Sequence, residues 1–124
     1  MILVDTSVWL RFLAGRQPFA RNVDALLERE DVLGHEMVYG ELLIGDRRSR
    51  SHWLADLELI ATAPTVPHPE VVSFVRARRL HGRGIGWVDA HLLASTLVAG
   101  ARLWTADVRL AEIASQLGVA FMST

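Results

Sequence analysis

The sequence lacks cysteine and lysine, and it has no long uninterrupted hydrophobic run. Without cysteine there is no disulfide framework, no thiolate zinc site and no cysteine nucleophile. Without lysine, every mechanism that needs a catalytic lysine is excluded. The longest apolar stretch, residues 92–101, is interrupted by polar residues and is too short to span a bilayer. We expect no signal peptide, because Asp5 falls inside the first apolar segment. These absences predict a cytoplasmic protein without a membrane segment.

The composition is that of one ordinary globular domain. The chain has 124 residues, of which 51% are hydrophobic and 22% are charged, so a disordered chain is excluded. The net charge of −1 does not by itself indicate a nucleic-acid binder. All 13 basic residues are arginines, which suit phosphate groups well. The base composition of the genome is an alternative explanation of that bias.

Short apolar runs alternate with segments whose apolar residues recur at helical spacing. The predicted strands are residues 2–4, 31–35, 61–66, 102–105 and 119–122. The predicted helices are residues 7–14, 19–30, 37–44, 53–60, 70–80, 87–99 and 107–117. A polar, basic connection is predicted at residues 46–51, and a glycine-rich link at 81–86. The alternation predicts a single domain over residues 1–124 with a three-layer α/β/α fold and a central, mostly parallel sheet.

Asp5 directly follows the first predicted strand, the apolar run at residues 2–4. A buried carboxylate is costly unless it is paired or bound to a metal. In open parallel sheets, ligands bind at the carboxyl ends of the strands. The position of Asp5 therefore predicts a functional site there. Thr6 or Ser7 could cap the helix that follows.

Three further acids are candidates: Asp107 ends a second strand segment, and Glu41 and Asp89 lie among apolar neighbours. Each has a simpler interpretation on its own. Asp89 and Asp107 fall at predicted helix starts, where a carboxylate can cap free N–H groups, and Glu41 could pair with an arginine. If the four acids converge at one sheet edge, their mutual repulsion calls for a cation. Hard oxygen ligands select Mg²⁺ or Mn²⁺, which support phosphoryl chemistry.

Four segments in this order resemble the PIN-domain family, and more closely its VapC-type ribonuclease toxins of bacterial type II toxin–antitoxin pairs. They are LVDTS at 3–7, GELLIG at 40–45, GWVDAHLLAS at 86–95 and LWTADVRL at 103–110. The resemblance covers essentially the whole chain. No single segment is diagnostic, but the four in order are specific.

The resemblance implies a Mg²⁺- or Mn²⁺-dependent endoribonuclease. Asp5, Asp89 and Asp107 would hold the metal, and Glu41 would ligate it or orient the attacking water. It further implies a homodimer and an inhibitory antitoxin that wraps the toxin and can place a side chain in the site. The hydroxyl residues beside these acids could hydrogen-bond the carboxylates or the scissile phosphate; they are Thr6, Ser7 and Thr105. Helix capping is the alternative role for Ser7.

Four other functions are alternatives to the ribonuclease toxin. A dehalogenase-type phosphatase also begins with a strand-end aspartate, but it needs a second aspartate where this chain has Ser7, and a lysine. A receiver-type phospho-acceptor needs a lysine as well. A PIN-fold nuclease that processes RNA outside a toxin pair, and a non-catalytic RNA- or protein-binding module of the same fold, both stay open.

The remaining candidates concern contact with RNA. The arginines of two basic stretches could bind phosphate or could simply face solvent; they are Arg47, Arg48, Arg50, Arg76, Arg78, Arg79 and Arg83. His35 and His91 flank candidate acids, although a core or surface role is the simpler prediction. The four tryptophans are predicted in the core, with base stacking by Trp9 or Trp87 as the alternative.

Overall fold

The computed structural model describes residues 1–47 and 51–123. These residues form three strands: β1 (Ile2–Val4), β2 (Val32–Leu33) and β3 (Arg102–Trp104). They also form seven helices: α1 (Thr6–Leu13), α2 (Phe19–Glu28), α3 (Glu36–Ile44), α4 (Ser51–Glu58), α5 (His68–Arg78), α6 (Trp87–Ala99) and α7 (Val108–Gln116). No helix within the described ranges is long and apolar enough to cross a membrane.

The strands form one parallel sheet in the order β2-β1-β3. Leu3 of β1 lies in register with Leu33 on one side and with Leu103 on the other. Parallel neighbours require crossover connections, and the helices between the strands supply them. The predicted three-layer α/β/α fold with a parallel sheet is confirmed.

The predicted strands at residues 61–66 and 119–122 are wrong as full strands. Each pairs with the sheet through one parallel bridge, Gly34 with Thr62 and Leu103 with Ala120. Pro64 has no N–H to continue the first pairing. The second segment exchanges backbone hydrogen bonds with β3 through Leu103, which donates to the Val119 carbonyl and accepts from the Phe121 N–H.

The core lies on both faces of β1, whose three residues are all buried. Leu3 and Val4 at the centre of the sheet are fully buried, which explains why this strand has no polar residue. Helices contribute further fully buried side chains, including Val8 of α1, Leu92 of α6 and Leu110 of α7. The apolar positions that predicted these helices therefore face the sheet.

Local signals set most helix ends within one or two residues of their predicted positions. His35 caps α3, because its Nδ1 accepts the Met37 N–H at 3.1 Å. Gly100 ends α6 in the left-handed conformation that favours glycine, with φ of +62°. In the predicted basic connection, Asp46 and Arg47 lie outside any helix, and residues 48–50 lie outside the described residues.

Candidate active site

Two acids lie at the carboxyl ends of neighbouring parallel strands. Asp5 follows β1 and occupies the N-cap position of α1, while Asp107 follows β3 and caps α7. The Asp5 N–H donates to the Trp104 carbonyl at 3.0 Å, so the two strand ends are joined directly. Asp5 is only 6% exposed, whereas Asp107 is exposed. The expected placement at one edge of the sheet is therefore present for this pair.

Asp5 is held by two hydroxyl groups that both donate to its Oδ2. Ser7 Oγ lies 2.8 Å from this oxygen, and Thr105 Oγ1 lies 2.6 Å from it. Each hydroxyl in turn accepts a backbone N–H at 3.0 Å, Ser7 from Ala106 and Thr105 from Asp107. Because the backbone occupies their acceptor sides, both hydroxyls direct their protons at the carboxylate. These hydrogen bonds fix the orientation of the Asp5 carboxyl group.

The expected capping of α1 by Thr6 or Ser7 is wrong. Asp5 is the N-cap residue, and its side chain makes no capping hydrogen bond. Ser7 bonds Asp5 instead, and Thr6 Oγ1 donates to Glu41 Oε1 at 2.7 Å. The Thr6 contact links the start of α1 to α3 and brings Glu41 toward the end of β1. No arginine among the described residues forms an ion pair with Glu41.

The surroundings of Asp89 make its carboxyl a weaker acid. Burial raises the pKa of its carboxyl, and the negative charges of Asp5, Asp107 and Glu41 raise the pKa further. One hydrogen bond opposes this shift, because the Gly86 N–H donates to Asp89 Oδ2 at 2.9 Å and lowers the pKa. All three other candidate acids therefore act on Asp89 through their charges.

Asp89 and Asp107 cap helices and are also candidate site acids. Asp107 Oδ1 accepts the Leu110 N–H at 3.0 Å, and Asp89 Oδ2 accepts the Gly86 N–H. The capping interpretation is therefore confirmed for both residues. A carboxylate has two oxygens, and in each residue the other oxygen makes no hydrogen bond within residues 1–47 and 51–123. Capping thus fixes the side chain and leaves one hard oxygen donor.

The donor set fits a divalent cation by its chemistry. It consists of carboxylates that raise the pKa of one member, and no ion pair to a basic side chain compensates them within the described residues. In the described part of the chain, no three acidic or histidine side chains lie close enough together to hold a metal ion as they stand. Binding an ion therefore requires the carboxylates to close in from their capped positions.

The two histidines that flank candidate acids are core residues. His35 is buried, and its Nε2 lies 3.0 Å from Ser95 Oγ. Since Nδ1 accepts the Met37 N–H, Nε2 carries the proton and donates it to Ser95. His91 is buried as well, and its Nδ1 has no hydrogen-bond partner within the described residues. Burial lowers the pKa of both imidazoles.

Sequence reasoning missed one basic residue near the acids, Arg109. Its guanidinium lies directly over Gly84, where a Cβ would overlap it, and Gly84 has a positive φ of +82°. Gly84 belongs to the link before α6, so Arg109 connects the start of α7 to the segment that carries Asp89. Its position two residues after Asp107 was the available signal. The predicted phosphate contacts Arg48 and Arg50 lie outside the described residues.

The pattern of the PIN domain matches residues 2–116, which is most of the chain. This chain therefore belongs to the PIN-domain family. The match extends from β1 through the last residue of α7, so it includes all four candidate acids.

Among curated proteins, the chain is similar to Ribonuclease VapC32 of Mycobacterium tuberculosis, in strains CDC 1551 / Oshkosh and H37Rv. Identity to each is 47% over 121 residues, covering 97% of this chain and 95% of the relative. Similarity of this extent over the full length confirms the predicted resemblance to VapC-type proteins.

Among solved structures, the chain is similar to the crystal structure of PAE2754 from Pyrobaculum aerophilum. The TM-score is 0.57 with 16% sequence identity, and the alignment covers 94% of this chain and 88% of that one. At this identity the likeness supports the fold alone.

Proposed function

We propose that this protein is a divalent-metal-dependent endoribonuclease that acts as the toxin of a VapBC-type toxin–antitoxin pair. The carrying observation is that Asp5 and Asp107 follow neighbouring parallel strands of a PIN fold and that Thr6, next to Asp5, hydrogen-bonds Glu41. The 47% identity to Ribonuclease VapC32 supports RNA as the substrate. Hydrolysis of a phosphodiester bond is the reaction that suits such a site.

Asp5, Asp89 and Asp107 would hold the ion, and Glu41 would join them or orient the attacking water. When bound, Mg²⁺ or Mn²⁺ supplies Lewis-acid polarisation of the phosphodiester and a more acidic water. Either ion suits these oxygen ligands. Glu41 is exposed and gives one oxygen to Thr6, which leaves its other oxygen to accept a proton from water.

The hydroxyl residues support this chemistry by fixing the carboxylates. Ser7 and Thr105 hold Asp5 in one orientation, and Thr6 holds Glu41. Such outer contacts set ligand geometry and metal affinity. Asp5 and Glu41 are thus already oriented, and the approach of Asp89 and Asp107 would complete the site.

The proposal includes the partners that a toxin requires. A VapB-type antitoxin would inhibit the enzyme by wrapping it and placing a side chain in the acidic site. The active form would be a homodimer in the cytoplasm. Co-expression with the product of an adjacent antitoxin gene tests this part, and toxicity that persists in its presence would contradict it.

The decisive experiment is cleavage of a defined RNA panel by the purified protein in Mg²⁺, in Mn²⁺ and in EDTA. Asp5→Asn protein, prepared identically, controls for contaminating nucleases. We expect cutting by the wild type only, and only with a divalent ion. Cutting that persists in EDTA or in the variant contradicts the proposed site. RNA binding without cutting would instead favour a non-catalytic binding module.

A further inference from the structure

Trp87 differs from the other tryptophans in its exposure. Trp9 and Trp104 are buried in the core, and Trp53 is half-buried, whereas Trp87 is 42% exposed. This exposure leaves part of the aromatic ring open to a ligand. Trp87 is the first residue of α6, the helix that also carries Asp89.

The Trp87 ring is nevertheless held in a defined position. The His68 ring lies 5.1 Å from it, centroid to centroid, at an interplanar angle of 55°. The His91 ring lies 5.3 Å away and meets it edge-on at 86°. His68 begins α5 and His91 lies one turn along α6, so two helices fix the indole. An aromatic face that is both exposed and fixed loses little conformational entropy when a flat ligand stacks on it.

The position of Trp87 relates it to the acidic site. Only two peptide units separate it from Asp89, so their Cα atoms lie within about 7 Å. Asp89 is one of the four proposed site acids, while Trp87 contacts the two histidines. Arg109 lies over Gly84, three residues before Trp87, and adds a cation beside the same segment. A strand whose phosphate lies at the acids would therefore bring a neighbouring base close to Trp87.

We propose that Trp87, positioned by His68 and His91, stacks on an unpaired nucleobase next to the scissile phosphate. The inference rests on the proposed ribonuclease function and names the residue of this chain that would contact a base at the cut. Bases splayed out of a helix commonly stack on aromatic side chains in this way. Base stacking is also sequence-tolerant, because every base has a π face.

The alternative occupant of this ring is another protein surface. The setting favours RNA, because the ring adjoins the proposed site of phosphodiester cleavage and the cation Arg109, which can contact a phosphate. A protein contact through Trp87 remains a separate outcome of the test.

Binding is measured with Asp5→Asn protein, so that the RNA stays intact. Tryptophan fluorescence is followed as short single-stranded homopolymers of A, U and C, and a fully paired hairpin, are added. We expect quenching by single strands that is lost in Asp5→Asn/Trp87→Ala and retained in the matched control Asp5→Asn/Trp53→Phe. Affinity should fall roughly 5- to 100-fold in the alanine variant, the range typical of one stacked base. Trp87→Phe should recover most of the affinity.

A cleavage assay with protein that keeps Asp5 separates base stacking by Trp87 from a structural role. Trp87→Ala should raise KM more than it lowers kcat, and Trp87→Phe should lie near the wild type. Equal quenching with and without Trp87, equal affinity for hairpin and single strand, or binding of none of these RNAs overturns the inference. A changed oligomeric state in Trp87→Ala with unchanged RNA affinity also overturns it and indicates a protein interface. If the wild type fails to cut RNA but Trp87-dependent binding persists, the proposed nuclease function is contradicted and base stacking by Trp87 is supported.

Discussion

Thr105 Oγ1 donates a 2.6 Å hydrogen bond to Asp5 Oδ2, which lies 100 residues away in the sequence. The same oxygen accepts the Asp107 N–H at 3.0 Å. One hydroxyl therefore sets the orientation of Asp5 and positions the backbone of Asp107. The geometry of the two strand ends depends on this contact.

Replacing Thr105 with valine keeps the shape of the side chain and removes both hydrogen bonds. We expect stability to fall by about 1–2 kcal/mol. Cleavage should fall by about 10- to 100-fold, because Asp5 loses its fixed orientation. Urea denaturation and kcat measure the two effects. Thr105→Ser keeps the hydroxyl and should restore activity; equal loss in both variants would show that the methyl group matters instead.

Asp5→Asn tests the acid at the centre of the network. The cleavage rate should fall more than about 100-fold, since the substitution removes a charged oxygen ligand. The fold should persist, because asparagine keeps the shape and one acceptor for Ser7 and Thr105. Asp24→Asn, on the exposed surface of α2, is the matched control and should cut like the wild type. Circular dichroism checks both folds.

Asp89 should limit the stability of the metal-free protein. Because burial and neighbouring charges raise its pKa in the folded state, the native protein binds more protons than the unfolded chain between the two pKa values. Stability attributable to Asp89 therefore falls as pH rises through that window, from about pH 4 upward. In EDTA at pH 7, Asp89→Asn should melt at a higher temperature than the wild type. A lower melting temperature for the variant would contradict the coupling of the four acids.

Divalent ions should offset the loss of stability that the charged Asp89 causes at neutral pH. Saturating Mn²⁺ stabilises a protein that binds it, by about 2.7 kcal/mol when the ion is at 100 times its Kd. We expect a rise in melting temperature for the wild type and little or none for Asp89→Asn. Calcium-free, EDTA-treated protein is the starting point for both titrations. An equal rise in the two proteins would place the ion away from Asp89.

His35 predicts a second pH dependence of opposite sign. Burial lowers the pKa of its imidazole below 6.5 in the folded state, so the unfolded chain binds the proton more readily. Stability should be full above about pH 6.5 and should fall as pH drops toward the lowered pKa. His35→Asn keeps an N-cap acceptor for Met37 and removes the titration. Denaturation midpoints at pH 7.5 and pH 5.5 should differ less in this variant than in the wild type.

Arg109 should contribute to RNA affinity through charge alone. We expect Arg109→Gln to weaken binding of all RNAs alike and to reduce the salt slope of binding by about one. Arg29→Gln is the matched control, because Arg29 is an exposed residue at the end of α2, before the amino end of β2. Binding is measured from low to moderate salt with Asp5→Asn protein. Equal slopes for both variants would remove Arg109 from the RNA surface.

The sequence predicted the sheet and most helices because their signals are local. The apolar run at β1 and the glycine after α6 needed no knowledge of distant residues. The segments at 61–66 and 119–122 were predicted as strands from composition alone, but the number of bonds they form depends on their partners Gly34 and Leu103. Pairing extent is a tertiary property, so no local pattern contains it.

The candidate site also has features that the sequence predicts and features that depend on distant residues. The four acids could be chosen from their positions after strands and among apolar residues. The direction in which each hydroxyl points could not, since Ser7 and Thr105 are 98 residues apart and share one carboxylate oxygen. The sequence also predicted Trp87 in the core, with base stacking as the alternative, and only the structure shows that its ring is exposed. Arg109 was missed because its position two residues after Asp107 does not by itself show that Gly84 leaves space for it.

Asp107 caps α7 and is also a proposed metal ligand, and this combination has a genetic consequence. Its carboxylate caps α7, and asparagine caps a helix as well as aspartate does. An aspartate codon becomes an asparagine codon by one base change. A cell harmed by the activity could thus escape through a variant that folds normally, accumulates and competes for the same molecular contacts. Loss of function at this position would leave protein abundance unchanged, and only an activity assay would reveal it.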